Sequence, residues 1–282
     1  MLRDASLAAG IPFWNFFNTM PFGGHADPTE AQLAWQMFTS LAYGAKGVLY
    51  FCYWSPAGQG GFAQGGGVVY PRGSLNSSAG PPGDISLSSA KLYRKGAHYR
   101  HATRLNSIVK NWGRAQYLLG ATSTGVFRVM SPGSKSGASP GPWVPGGLDT
   151  PGGTCSCTSG ASSCPQPAQS LAGCAINNVT DLAVSSSRWT PKAGEGLLIG
   201  QFRLADGRTG LLLHNHNVDS TIWPTVGFAA PHEWSAGGRS VLEVDAETGA
   251  EAPILDDSPL LPGLQMSFES GMARFLVLAD KL

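Results

Sequence analysis

Hydrophobic and polar positions are most sharply patterned in the first fifth of the chain. Ile11–Thr19 is an aromatic-rich apolar run bounded by Gly10 and by the Pro21–Gly24 loop, which is the punctuation of a buried strand. A helix follows. Asp27 is read as its N-cap, Pro28 as the first helical residue, and Glu30 as the capping-box partner that reaches back to the Asp27 amide. Leu33, Met37, Phe38 and Leu41 recur at helical spacing, and Gly44 stops the helix. Gly47–Trp54 is then continuously apolar, as in a parallel strand covered on both faces by helices. The three segments predict a right-handed βαβ crossover. Met1–Gly10 reads as the last turns of a helix capped by Gly10.

Downstream the period changes. Ser55–Ser86 carries glycine clusters and reads as a long loop. A helix is predicted from Ser88 or Ser89 to about Trp112, with Leu92, Tyr93, Tyr99, Leu105, Ile108, Val109 and Trp112 apolar, and Gly113 closes it. Its Arg and Lys residues are read as a solvated outer face. Tyr117–Leu119 and Gly125–Met130 open an all-β region, interrupted at about 131–173 by a Gly/Ser/Pro/Cys-rich stretch read as a low-complexity insertion. From Glu195, GLLIGQFRL and TGLLLHNHN flank Asp206-Gly207, a hairpin signal. Further strands near Ile222–Phe228, Ser240–Asp245, Gln265–Glu269 and Ala273–Leu278 complete the pattern of an antiparallel sandwich. The fold class expected is therefore α/β plus all-β, with an α/β part over 1–113 and a β-sandwich over 114–282.

Composition narrows the partners. Charged residues are 13% of the 282 and the net charge is +1, which argues against a nucleic-acid groove or an anionic membrane surface as partner. No apolar run reaches the length of a membrane span. Cys52 reads as a small buried side chain. Cys155, Cys157, Cys164 and Cys174 sit together in a loop-like stretch without a histidine, which fits disulfides of open pairing better than zinc. With the sequons at Asn76 and Asn178 they favour a secreted or endomembrane location. No metal and no cofactor is expected.

The stretch DPTEAQLAWQMFTSLAYGAKGVLYFCYW resembles the seventh helix and eighth strand of the (β/α)8 barrel in a group of glycoside-hydrolase-like proteins, and the C-terminal VLEVDAETGAEAP and ARFLVL runs are similar to the β-sandwich that closes such enzymes. The resemblance implies that Ile11–Thr19 is strand seven, Gly47–Trp54 strand eight and Ser88–Trp112 the last barrel helix, so that the chain is a partial (β/α)8 barrel lacking strands one to six. It also implies a carbohydrate partner, with the N-terminal barrel half or a second copy covering the open barrel strands.

Glycoside hydrolysis ordinarily uses two carboxyl groups flanking the scissile bond. In barrels of this kind they project from strands four and seven. Strand four is not in this chain, and where strand seven would present its acid there is Asn18. Catalytic residues are thus unidentified. Asp27 and Glu30 are assigned to capping. Asn18, His25 and Trp54 are the candidate sugar-binding residues: His25 as hydrogen-bonding group or solvated loop residue, Trp54 as stacking platform or core indole. Trp14 is read as core, and His214 and His216 as hydrogen-bonding groups at a strand end. The expected function is a truncated, carbohydrate-directed member of this family, inactive as an isolated chain. The alternative is a non-catalytic carbohydrate-binding or structural module derived from it.

Overall fold

The structure, a computed structural model, describes residues 2–21, 24–53, 68–71, 93–130, 144–146, 196–223, 225–226, 239–256 and 264–280. In chain order the elements are helix α1 (Leu2–Ala9), strand β1 (Trp14–Asn18), helix α2 (Glu30–Ala42), strands β2 (Gly47–Phe51), β3 (Val69–Pro71) and β4 (Tyr93–Lys95), and helix α3 (Ala97–Trp112). Strands β5 (Thr122–Met130), β6 (Val144–Gly146), β7 (Gly196–Arg203), β8 (Thr209–Asn215) and β9 (Thr225–Val226) follow. The chain continues with β10 (Arg239–Val244), β11 (Glu251–Asp256), β12 (Leu264–Gln265) and β13 (Ala273–Asp280).

The βαβ crossover is present. β1 and β2 pair in parallel, Trp14 opposite Gly47 and Asn18 opposite Phe51, with α2 between them in sequence. Tyr43 is the C-cap of α2, and Gly44 follows it with φ +91°, a conformation that favours glycine. The start of α2 differs from the sequence reading. Thr29, not Asp27, is the N-cap: its hydroxyl accepts from Gln32 N, and the Gln32 side chain accepts from Thr29 N at 2.9 Å. Two capping registers compete in this sequence. The earlier one loses because the Asp27 carboxylate is held by the buried His98, whose Nε2 lies 2.8 Å from Oδ1, while Glu30 pairs with Arg104 at 3.1 Å.

The two parallel strands are not covered on both faces. One face carries Phe17, Val48 and Tyr50 against the helices, but Trp14, Phe16 and Leu49 on the other are half to two-thirds exposed. Trp14 is therefore a surface indole lying over Gly47, not a core residue. Among the described residues only two strands make up this sheet, so a (β/α)8 barrel is not part of the structure described. Cys52 is half-buried, with Sγ 3.1 Å from Met20 Sδ, and burial raises its thiol pKa.

Helix α3 begins later than its pattern suggests. Tyr93 lies in β4, which pairs with β3 inside the stretch read as a loop, and Gly96 in extended conformation is the N-cap. Leu105, Ile108 and Trp112 are its buried face. Tyr117–Leu119 is a turn, not a strand: Leu118 N–H donates to Trp112 O, and the Tyr117 hydroxyl donates to Glu251 at 2.8 Å. Within 131–173, residues 144–146 form β6; the four clustered cysteines lie outside the described residues, as do both sequons and Trp54.

Among the described residues the all-β part is a seven-stranded antiparallel sheet of order β11-β10-β13-β8-β7-β5-β6. The β7–β8 hairpin turns at Asp206-Gly207 as its sequence predicts, with Gly207 at φ +88° and Leu204 N–H donating to Arg208 O. The Arg208 guanidinium forks onto both oxygens of Glu251 at 2.8 Å, tying this turn to β11 and depressing the Glu251 pKa.

One face of this sheet receives the helices. Leu198, Phe202, Leu212, Leu242, Val244, Phe275 and Val277 share a single core with Leu33, Met37, Phe38 and Leu41 of α2 and with Leu105 and Trp112 of α3. Trp112 Nε1 donates to Val244 O at 2.9 Å. Apolar packing is thus continuous across residue 113. The opposite face is also apolar and buried, with Leu197, Ile199, Leu211, Leu213, Val241 and Leu276. There the Asn215 amide donates to the Ser220, Phe268 and Glu269 carbonyls, which seats the Ile222–Phe268 bridge beside the sheet. No helix among the described residues is long and apolar enough to cross a membrane.

Helix and sheet come close together at Gly200 of β7. A Cβ there would lie 2.8 Å from Ala42 Cα and closer still to its carbonyl oxygen, so the end of α2 and the strand meet backbone to backbone. Gly200→Ala is expected to destabilise the fold by about 1–3 kcal/mol through overpacking. Equilibrium urea unfolding of the two proteins measures this, and an unchanged midpoint would contradict the packing described.

Candidate functional site

Strand β1 ends at Asn18, and a parallel strand's C-terminal end is where α/β architectures gather ligand-binding loops. The backbone there is held by a side chain. Asn18 N–H donates to Gln36 Oε1 at 3.2 Å, and Gln36 Nε2 donates back to Asn18 O at 3.1 Å. The amide of Gln36 thereby satisfies the last residue of β1 as a neighbouring strand would. Gln36 Nε2 also lies 3.2 Å from Gln32 O, one helical turn back. The Asn18 side chain closes an Asx turn, its Oδ1 accepting from Met20 N at 3.2 Å.

Around this clamp lies an open cleft of about 570 Å³, lined by Asn18, His25, Ala26, Pro28, Gln32, Trp35, Gln36, His216 and Val218. Gln32, Trp35 and Gln36 stand at i, i+3 and i+4 on α2, a stripe separate from the buried Leu33, Met37, Phe38 and Leu41. One side of the helix builds the core while another builds the wall of the cleft. The Trp35 ring meets His216 edge to face, with centroids 4.9 Å apart.

Behind this wall His214 is fully buried. Its Nε2 lies 3.2 Å from Thr39 Oγ1 and its Nδ1 3.3 Å from Met272 O. A carbonyl only accepts, so Nδ1 carries the proton and Nε2 accepts from the threonine hydroxyl. Burial, with a smaller contribution from His216, pushes the His214 pKa down to about 3. Both ring nitrogens are engaged, so His214 is a structural hydrogen-bonding residue, as its place at a strand end suggested.

The rim of the cleft is fixed from beneath. Asp27, beside Ala26 and Pro28, bonds His98 of α3; His98 Nδ1 faces His101 Nδ1 at 3.4 Å; Arg104 bridges Glu30 and Glu269 at 3.1 and 2.8 Å. This polar seam joins the entry of α2 to α3, which gives Asp27 and Glu30 an anchoring role in place of the capping role read from sequence.

Chemically the cleft offers three carboxamides, two imidazoles and an indole. The amides supply paired donors and acceptors, and the indole supplies an apolar face. None of the described residues lining it is a carboxylate, lysine, serine, threonine or cysteine. Neither the carboxyl pair of glycoside hydrolysis nor a nucleophile with its base is found among those side chains. No group of three His, Cys, Asp or Glu among the described residues is placed to hold a metal ion.

Of the residues singled out from sequence, Asn18 and His25 are brought together here, and Trp54 lies outside the described residues. Gln32, Trp35 and Gln36 were missed. Their signal was available in the second stripe of α2, which the strength of the apolar stripe overshadowed. Comparison with protein-family models and with curated proteins found no match to this chain.

His214 makes the stability of this wall pH-dependent. Its folded pKa lies below the ordinary 6.5, so the unfolded chain binds the proton more readily; stability is full above about pH 6.5 and is lost as pH falls toward 3. The loss is expected to reach about 1.4 kcal/mol per pH unit within that window. Chemical unfolding of wild type and His214→Gln between these limits tests it: the variant's profile should be flatter by up to that slope, and parallel profiles would contradict it.

Proposed function

We propose that this chain is carbohydrate-directed, with the architecture of the closing part of a glycoside-hydrolase-like barrel followed by a β-sandwich, and that by itself it binds sugar without cleaving it. The observation that carries this reading is the cleft at the end of β1, where an indole, three carboxamides and two imidazoles converge without a carboxylate among the described lining residues. A sugar ring presents an apolar C–H face and a rim of hydroxyls that both donate and accept. Trp35 suits the first, and Asn18, Gln32 and Gln36 suit the second.

The sequence resemblance supports the same reading. It runs through Leu41-Ala42-Tyr43-Gly44-Ala45-Lys46-Gly47, which joins α2 to β2, and the crossover it implies agrees with the parallel pairing of β1 and β2. The seven-stranded sheet and the β9–β12 ribbon are read as the two layers of the sandwich. Asn18 takes the position where the seventh strand of such barrels would present its acid. An amide there hydrogen-bonds a hydroxyl but neither attacks an anomeric carbon nor removes a proton from water.

The test is titration of the purified chain with neutral oligosaccharides, alongside an assay for aryl-glycoside hydrolysis. Binding is expected without turnover, and Trp35→Ala should weaken it by about tenfold or more, the equivalent of one lost aromatic contact. Absence of binding to any glycan removes the proposal. Turnover that copurifies with the wild-type chain and is absent from a mock preparation overturns its non-catalytic half.

A further inference from the structure

We propose that His98 and His101 of α3 form an acid-opened catch beneath the rim of the cleft: their rings stay together with one added proton and are parted by a second, which loosens the entry of α2. The two residues stand at i and i+3 on one side of the helix. Asp27, which His98 holds, lies between Ala26 and Pro28 of the cleft's lining. Glu30, which His101 approaches, lies two residues before Gln32, also of the lining. The catch depends on this geometry and not on what the cleft binds.

The hydrogen bonds fix where the ring protons are. His98 is buried, and its Nε2 lies 2.8 Å from Asp27 Oδ1. An ionised carboxylate only accepts, so Nε2 carries a hydrogen and, in the neutral ring, Nδ1 carries a lone pair. That Nδ1 faces Nδ1 of His101 at 3.4 Å, so the hydrogen between the rings belongs to His101. The lone pair of His101 is then on Nε2, 3.6 Å from Glu30 Oε2. A first proton taken from water binds there, sets an imidazolium beside a carboxylate, and leaves the Nδ1 contact intact. For a second proton the acceptor left in the pair is His98 Nδ1. Bound there, it sets N–H against N–H across 3.4 Å, and a hydrogen bond becomes a repulsion between two cations.

The charged groups of this seam are Asp27 from the loop before α2, Glu30 from α2 itself, and Arg104 from the next turn of α3, which also holds Glu269 ahead of β13. Three carboxylates against one guanidinium do not oppose a second proton. The Nδ1 contact opposes it, and so does the positive end of α3, whose second residue is His98. His101 is the ring that leaves. Its side chain is 25% exposed against 6% for His98, and it stands 3.6 Å from its carboxylate where His98 stands 2.8 Å from its own. Once His101 turns to solvent, Glu30 is left with Arg104, whose side chain is half-exposed, and such pairs hold weakly. The first turn of α2 thereby loses the more buried of these two ties to α3.

Nitrogen NMR of the imidazole rings in the full chain tests this from about pH 8 to about pH 4.5, which spans the ordinary histidine range and stops at that of carboxylates. The backbone amides of Ala26 and Gln32 are followed in the same samples. At the alkaline end His98 is expected as its Nε2–H tautomer and His101 as its Nδ1–H tautomer. On acidification His101 Nε2 should gain its proton before His98 Nδ1 does, and the two amides should shift with the second step. His25 and His216 also line the cleft, so His101→Gln supplies the control: the part of the amide shift that follows His98 should be lost. If that variant does not fold, the order of the two steps and their match to the amide shifts in the wild-type chain decide. The opposite tautomers, a His98 that charges first or stays uncharged throughout the range, amides that ignore the second step, or a His101→Gln chain whose amides still follow His98 would each overturn it.

Discussion

Everything in this molecule depends on how helix α2 is wedged between two sheets. Its Leu33, Met37, Phe38 and Leu41 are almost wholly withdrawn from water, sharing one core with Phe17 of β1 and with Leu198, Leu212 and Phe275 of the antiparallel sheet. Burial of four such side chains contributes on the order of 6–12 kcal/mol before the cost of ordering the chain. The helix therefore has no freedom to rotate, and Gly200 lets it lie directly on β7. A fixed rotation has a second consequence. The stripe of Gln32, Trp35 and Gln36 must face the end of β1, so the geometry of the cleft follows from the packing of the core.

The polar interactions refine what that packing sets. Gln36 satisfies the last backbone groups of β1 and so keeps the strand's end open to the cleft instead of to another strand. The seam from Asp27 through His98 and His101 to Glu30, Arg104 and Glu269 holds the entry loop of α2 against α3. Its members at Arg104 and Glu269 are well exposed, and such pairs contribute little to stability. Their part is positional: they determine where Ala26 and Pro28 stand on the rim.

Much of the fold was legible in the sequence where turn chemistry and periodicity agreed. Gly44, Asp206-Gly207 and the stripe from Leu33 to Leu41 each placed an element correctly because local preference and long-range packing favour the same conformation. Where two local signals competed, tertiary contacts decided. Asp27–Glu30 and Thr29–Gln32 are both capping boxes on paper, and the long-range contacts of Asp27 with His98 and of Glu30 with Arg104 select the second. Strand β11 went unread because Pro253 interrupts it; the structure accommodates that proline on an edge strand, opposite Leu242 at a register shift. The exposed Trp14 and Phe16 were equally illegible, since hydrophobic periodicity marks a face as apolar without saying what covers it. For the cleft, the family resemblance pointed to Asn18 and the loop after the strand to His25, and both line it, whereas the α2 stripe emerged only once the helix's rotation was known.

The proposed meeting of a sugar with the indole and carboxamides that α2 turns toward the end of β1 is tested most directly by a two-dimensional NMR titration of the uniformly labelled chain with a neutral oligosaccharide. Saturable shifts are expected, concentrated on the side-chain amides of Asn18, Gln32 and Gln36 and on the Trp35 indole N–H, with saturation transfer from the Trp35 ring to the sugar C–H protons. Shifts that map elsewhere on the chain while these four groups remain unmoved would contradict it.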